Sequence, residues 1–150
     1  MQSSPVELSV ALAIVGAGVM LLVGMLTGTW KYVEMRRSPD ARAPMYVDIA
    51  HRAALLYASA MAVCALLAWL SPWSAAVESA AVLGNFVFFF IATATYVRLG
   101  AQRVRETQYK QRNFTTGFGT WALIVVEIGS TVVLLSGAIC GLLPLVCATS

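Results

Sequence analysis

Apolar residues dominate four long stretches of the chain, and short polar connections separate them. The stretches cover about residues 8–30, 48–70, 78–98 and 119–143. A transmembrane helix needs about 20 mostly apolar residues to cross a hydrocarbon layer about 30 Å thick, and none of the stretches alternates with the period of two that a membrane β-strand requires. The pattern predicts an all-α, integral membrane four-helix bundle that forms one domain over residues 1–150. Pro144 is expected to end the fourth helix.

Composition excludes the main alternative to this membrane fold. Of the 150 residues, 59% are hydrophobic and 11% are charged. A soluble domain of this length has too small a core to bury so much apolar side chain. The chain is therefore not an ordinary soluble domain.

The basic residues predict an orientation. All ten lie in or beside two connections. They are Lys31, Arg36, Arg37, Arg42 and Arg52 around the first, and Arg98, Arg103, Arg105, Lys110 and Arg112 around the third. Because positively charged loops stay in the cytoplasm, we expect a multi-pass protein of the cytoplasmic (inner) membrane with both chain ends outside, N-out/C-out. The same rule explains the net charge of +3 without a nucleic-acid partner, and anionic headgroups are the favoured contact.

Small residues line two of the predicted helices. Four alanines recur at every fourth position of the second helix, namely Ala50, Ala54, Ala58 and Ala62. Gly24 and Gly28 form a GxxxG pattern in the first helix. Since helices in lipid associate through close packing and hydrogen bonds, we expect both stripes to face other helices, mostly within one chain.

Two charged residues lie well inside the predicted spans, away from their ends, where each costs about 2.5–3.5 kcal/mol on insertion scales. Glu127 lies about seven residues into the fourth stretch, hence about 10 Å from its cytoplasmic boundary. Arg52 lies about six residues past Tyr46 in the second helix, hence about 9 Å from the same boundary. The equal depths make a contact between Glu127 and Arg52 possible.

Further polar residues gather at the same predicted depth. Asp48, His51 and Arg52 occupy positions i, i+3 and i+4 and therefore share one helix face, and Tyr96 and Arg98 end the third helix. Apart from Glu78 and Asn85, the opposite half of the bundle is almost empty of polar groups.

Two interpretations of this cluster remain open. In the structural one, Arg52 neutralises Glu127, Asp48 stabilises the positive end of its helix, and His51 sits among the lipid headgroups. In the functional one, the cluster borders a cytoplasmic cavity in which Arg52, Asp48, Tyr96 and Arg98 bind an anionic ligand. Glu127 or His51 then exchanges protons as the candidate catalytic group.

Motifs for cofactor chemistry are missing. The single histidine excludes bis-histidine haem ligation within one chain, and the ligands for a tetrahedral zinc site are lacking. Cys64, Cys140 and Cys147 have no CxxC spacing, and no nucleotide-binding loop or hydrolase motif occurs. We therefore expect no cofactor and no metal, and a non-enzyme is favoured over an enzyme.

Three functions are compatible with these features. The first is a small helper subunit that packs against partner transmembrane helices in a larger membrane complex without a cofactor of its own. The alternative is an enzyme or carrier for an amphipathic, lipid-like anionic substrate at an intramembrane pocket that faces the cytoplasm. An oligomeric channel or proton path is the third. The expected partners are the lipid bilayer and either other membrane subunits or further copies of the chain.

Overall fold

The computed structural model of the chain describes residues 7–105 and 114–148, and in the last helix it describes the side chains of residues 119–143. The described residues form four α-helices in chain order. They are α1 (Leu8–Arg37), α2 (Met45–Leu70), α3 (Ala75–Ala101) and α4 (Phe114–Ala148). Each helix is long and apolar enough to cross a membrane. The predicted all-α, four-span, multi-pass architecture is confirmed.

All four helices extend beyond the spans predicted from hydropathy, and α1 and α4 extend furthest. Helix α1 continues to Arg37, and Ser38, directly before Pro39, is its C-cap. Basic residues in a last turn interact favourably with the negative helix end, so the polar extension remains helical. The expectation that Pro144 ends the fourth helix is wrong, because α4 runs on to Ala148. Proline removes a single backbone hydrogen bond, and helices in membranes tolerate that loss.

Helices α2 and α3 form the centre of the bundle. Helix α1 packs against both of them, most extensively against α2, while α4 packs against α2 and α3 and barely touches α1. In the apolar window of α4 only 17% of the residues are buried, against 33–39% in the other three helices. Helix α4 is therefore the least covered part of the bundle.

Glycine permits the close approach of α1 to α2. A methyl group at Gly24 would lie 2.6 Å from the Leu55 side chain, and one at Gly28 would lie 2.8 Å from the imidazole of His51. A larger residue at either position would push the helices apart. The GxxxG pattern thus lies at the α1–α2 crossing.

The alanine stripe of α2 follows the buried face for three of its four positions. Ala50, Ala54 and Ala58 are buried, whereas Ala62 is exposed and Met61 is buried beside it. The expectation that Ala62 faces another helix of this chain is therefore wrong. Steps of four residues rotate by about 40° relative to a straight helix of 3.6 residues per turn, so the line leaves the interface after three steps.

Candidate functional site

Asp48 links α1 to α2 at the end of the bundle that carries the basic residues. We call this end, formed by the last turns of α1 and α3, the first turns of α2 and the α1–α2 connection, the basic end. The Asp48 carboxylate lies 2.6 Å from Lys31 Nζ and 2.8 Å from Arg52 Nη2. Its side chain is 30% exposed, and that of Arg52 is 66% exposed. Asp48 therefore offsets part of the positive charge of two helices.

The structure does not pair Arg52 with Glu127. Arg52 instead forms an ion pair with Asp48, one turn earlier on its own helix, because the i,i+4 spacing places the two side chains within reach of each other. None of the three ion pairs formed by the described side chains involves Glu127. Equal depth in two helices says nothing about the direction in which each side chain points, and the suggested Glu127–Arg52 contact is therefore wrong.

His51 lies in the α1–α2 interface. Its Nδ1 is 2.9 Å from the carbonyl oxygen of Gly24. A carbonyl oxygen only accepts, so Nδ1 carries the proton and donates it. The ring also covers Gly28. His51 thus ties two helices together, and the expectation that it sits among the headgroups does not describe this position.

The other two predicted ligand-binding residues lie apart from Asp48 and Arg52. Tyr96 on α3 stacks on Tyr46 of α2, with ring centroids 6.4 Å apart. Arg98, two residues further along, is exposed. Neither residue lines the pocket of about 570 Å³ that Asp48 and Arg52 border.

That pocket, which we call the Asp48 pocket, lies between the end of α1 and the start of α2. Its charged lining is Lys31, Arg42, Asp48 and Arg52. One carboxylate faces three cations there, and two of the three are already paired with it. The pocket is compatible with an anionic ligand, and Arg42 is its cation without an ion pair among the described side chains.

A buried carboxylate lies at the opposite end of the bundle. Glu78, in the first turn of α3, is only 1% exposed. It accepts a hydrogen bond of 2.9 Å at Oε2 from the fully buried Ser9 of α1. Its Oε1 has no partner in the described part of the chain. Helices α1 and α3 start at the same end of an up-and-down bundle, so the topology alone could have placed these two residues side by side.

The same face of α3 carries two more buried polar residues. Asn85, two turns below Glu78, directs Nδ2 at Cys64 Sγ (3.5 Å) and Thr131 Oγ1 (3.4 Å). Asn85 Oδ1 and the hydroxyl of the buried Thr93 find no partner among the described residues. Glu78 and Asn85, the two polar residues that the sequence places in the opposite half, are thus both buried.

Within the described residues, no group of three or more histidine, cysteine, aspartate or glutamate side chains converges to hold a metal ion. Of the described cysteines, Cys64 is buried and Cys140 is exposed, and both are free thiols. The side chain of Cys147 lies outside the described residues.

Comparison of the chain with protein-family models, with curated proteins and with solved structures gives no match. The function must therefore be argued from the residues of the chain itself.

Proposed function

We propose that the protein is a helper subunit of the cytoplasmic membrane, oriented N-out/C-out, whose helix α4 packs against a transmembrane helix of a larger complex. The observation that carries this proposal is the position of Glu127. It is a carboxylate that forms no ion pair with the described side chains, and it lies on the least covered helix of the bundle.

Glu127 lies deep in the predicted span, where a carboxylate is expected to have a partner. It lies about seven residues into the predicted fourth span, which corresponds to about 10 Å along the helix. A charged group at such depth costs about 2.5–3.5 kcal/mol on insertion scales and is almost always paired or turned toward a polar interior. A donor on a helix of another chain would satisfy Glu127, which has no ion pair among the described side chains of this chain.

The surface around Glu127 suits a helix partner. Val125 and Ile128 are 65% and 60% exposed. Nothing lies within 4 Å of the position that a side chain at Gly129 would occupy. A small residue in an exposed helix face lets a second backbone approach closely, and interhelical hydrogen bonds then add to the packing.

Photo-crosslinking in native membranes tests the proposal. A crosslinking amino acid at Val125 or Ile128 is expected to capture one defined polypeptide, different from this chain. The same amino acid at Leu22, which is 58% exposed on α1, is expected to capture lipid only. Glu127→Leu should abolish the α4 crosslink, and Cys140→Ser on the same helix should retain it.

Three results contradict the helper-subunit proposal. They are capture of lipid alone from α4, equal capture from α1 and α4, and capture of only further copies of this chain. To identify the last case, two copies of this chain with different tags are expressed together. If copies of the chain associate, purification through one tag also recovers the copy that carries the other tag.

A second candidate is supported by the Asp48 pocket. The pocket has three cations, Lys31, Arg42 and Arg52, and one carboxylate, Asp48, so its net charge is positive. An enzyme or carrier that binds an amphipathic anionic substrate requires such a positively charged site. Native mass spectrometry after gentle extraction is expected to find a bound small anion under this candidate. Arg52→Gln, at a residue that lines the pocket, should then weaken binding of that anion without loss of folded protein.

Cysteine labelling tests the orientation. In a variant without native cysteines, Ser74→Cys in the α2–α3 connection should react with a membrane-impermeant maleimide in intact cells. Asp40→Cys in the α1–α2 connection should react only after the membrane is opened. The reverse pattern contradicts the N-out/C-out orientation.

A further inference from the structure

A second pocket at the basic end is lined mainly by arginine. It has a volume of about 470 Å³ and lies between the α1–α2 connection and the end of α3. We call it the Arg pocket. Its charged lining consists of Arg37, Arg42, Arg103, Arg105 and Glu34. The four arginines come from three segments: the last residue of α1, the α1–α2 connection and the residues that follow α3.

Glu34 holds one of these arginines in place. Its carboxylate accepts hydrogen bonds from Arg103 Nη2 at 3.2 and 3.4 Å and from Trp30 Nε1 at 3.3 Å. The Glu34 side chain is 12% exposed. Glu34 thus orients Arg103, and the indole of Trp30 in turn holds Glu34 in place.

The remaining arginines of the pocket have no such partner. Among the described side chains, no carboxylate forms an ion pair with Arg37, Arg42 or Arg105. Four arginines against one carboxylate leave three positive charges around a single cavity. Like charges that converge repel one another, and a bound anion removes that cost.

The rule that basic loops stay in the cytoplasm accounts for arginine in each connection, but it does not require the two connections to share one concave surface. Guanidinium groups match the oxygens of phosphate with paired hydrogen bonds. Several of them around a pocket form a typical phosphate site.

The level of the pocket favours a lipid as the source of that phosphate. The pocket lies level with the ends of three helices, because its lining includes the last residue of α1 (Arg37), the first residue of α2 (Met45) and a residue just after α3 (Val104). Met45 and Val104 add apolar surface to it. The ends of membrane-spanning helices lie where lipid headgroups lie, and basic pockets between such helices bind acidic headgroups.

We propose that the Arg pocket binds the phosphate of an anionic phospholipid headgroup. Arg42 and Arg105 contact the phosphate, and Glu34 acts as a positioning residue through Arg103. This site is distinct from the Glu127 surface and does not depend on the helper-subunit proposal. Arg42 borders both the Arg pocket and the Asp48 pocket, so its substitution affects both cavities. Arg105 lines the Arg pocket but not the Asp48 pocket.

Lipid titration of the purified full-length chain in detergent tests the proposal. The probes are dioleoyl phosphatidylglycerol and dioleoyl phosphatidylcholine, with the bound lipid counted by native mass spectrometry. One phosphatidylglycerol per chain is expected to stay bound, and phosphatidylcholine is expected to bind about tenfold more weakly or worse.

Matched variants locate the site. Arg42→Gln and Arg105→Gln should each weaken binding of phosphatidylglycerol by about tenfold, as the loss of a charge-assisted hydrogen bond predicts. Arg36→Gln is the control, since Arg36 is exposed beside Arg37 but does not line the pocket, and it should change binding by less than about twofold. Glu34→Gln should weaken binding, and Glu34→Asp should restore part of it.

Three outcomes overturn the proposal. Equal loss in Arg36→Gln and Arg105→Gln indicates general attraction to charge without a site. Equal binding of the two lipids shows that the anionic headgroup is not recognised. Displacement of the lipid by soluble glycerol phosphate at the same concentration identifies a soluble phosphate as the ligand.

Discussion

Ser9 Oγ donates a hydrogen bond of 2.9 Å to Glu78 Oε2 across the interface of α1 and α3. The serine is fully buried and the glutamate is 1% exposed. Residues 69 positions apart in the chain thus form a buried polar contact between two helices. A buried acceptor is costly to leave without its donor.

Removal of the Ser9 hydroxyl should therefore destabilise the bundle. Ser9→Ala is expected to lower the free energy of unfolding by about 1–3 kcal/mol, because Glu78 loses its donor. Unfolding by sodium dodecyl sulfate in mixed micelles measures this quantity. The control is Ser59→Ala, which removes an exposed hydroxyl bonded only to its own helix.

A change at Ser59 as large as that at Ser9 contradicts this assignment. Glu78→Gln adds a second check, because a neutral amide is less costly to bury than a charge. In the Ser9→Ala background, Glu78→Gln should recover part of the lost stability.

The second prediction concerns the closest approach of α1 to α2. Gly28→Ala would place a methyl group 2.8 Å from His51 Cε1, which forces the ring away from its bond to Gly24. We expect a loss of about 1–3 kcal/mol, typical of overpacking. Gly18→Ala is the matched control, because open space surrounds a side chain at that position. Thermal unfolding in bicelles that shows equal losses for both variants contradicts the packing argument.

The four helices could be predicted from sequence because the length of an apolar stretch is sufficient to identify a membrane span. The ends of the helices could not, since hydropathy reports where lipid begins and not where helical hydrogen bonding stops. Helix α1 accordingly runs through a polar segment to Arg37, and α4 runs through Pro144.

The candidate site was harder to predict for a geometric reason. Counting residues along a span gives the depth of a side chain, but packing decides the direction in which it points. Arg52 and Glu127 share a depth without forming an ion pair. Ser9 and Glu78 meet because α1 and α3 start at the same end, yet serine has no hydropathy signal that marks it as a partner.

The third prediction concerns the ion pairs of Asp48 at the basic end. The pairs are partly exposed, so Asp48→Asn should cost no more than about 1 kcal/mol for each pair. The difference from wild type should shrink with added salt, because the screening length falls from about 30 Å at 0.01 M to about 3 Å at 1 M. Asp40→Asn, in the exposed connection, should show neither effect. A loss at Asp48 that is large and independent of salt contradicts a surface network.

The last prediction concerns the aromatic contact that closes the centre of the bundle between α2 and α3. The rings of Tyr57 and Phe89 stack with centroids 4.3 Å apart and planes 8° from parallel, and Phe89 is 7% exposed. Phe89→Ala should cost about 3–5 kcal/mol, because it removes a buried ring and leaves a cavity. Phe90→Ala is the control at the next position, where the side chain is 45% exposed, and it should cost far less. Equal losses in detergent-induced unfolding contradict the assignment of this stability to the burial of Phe89.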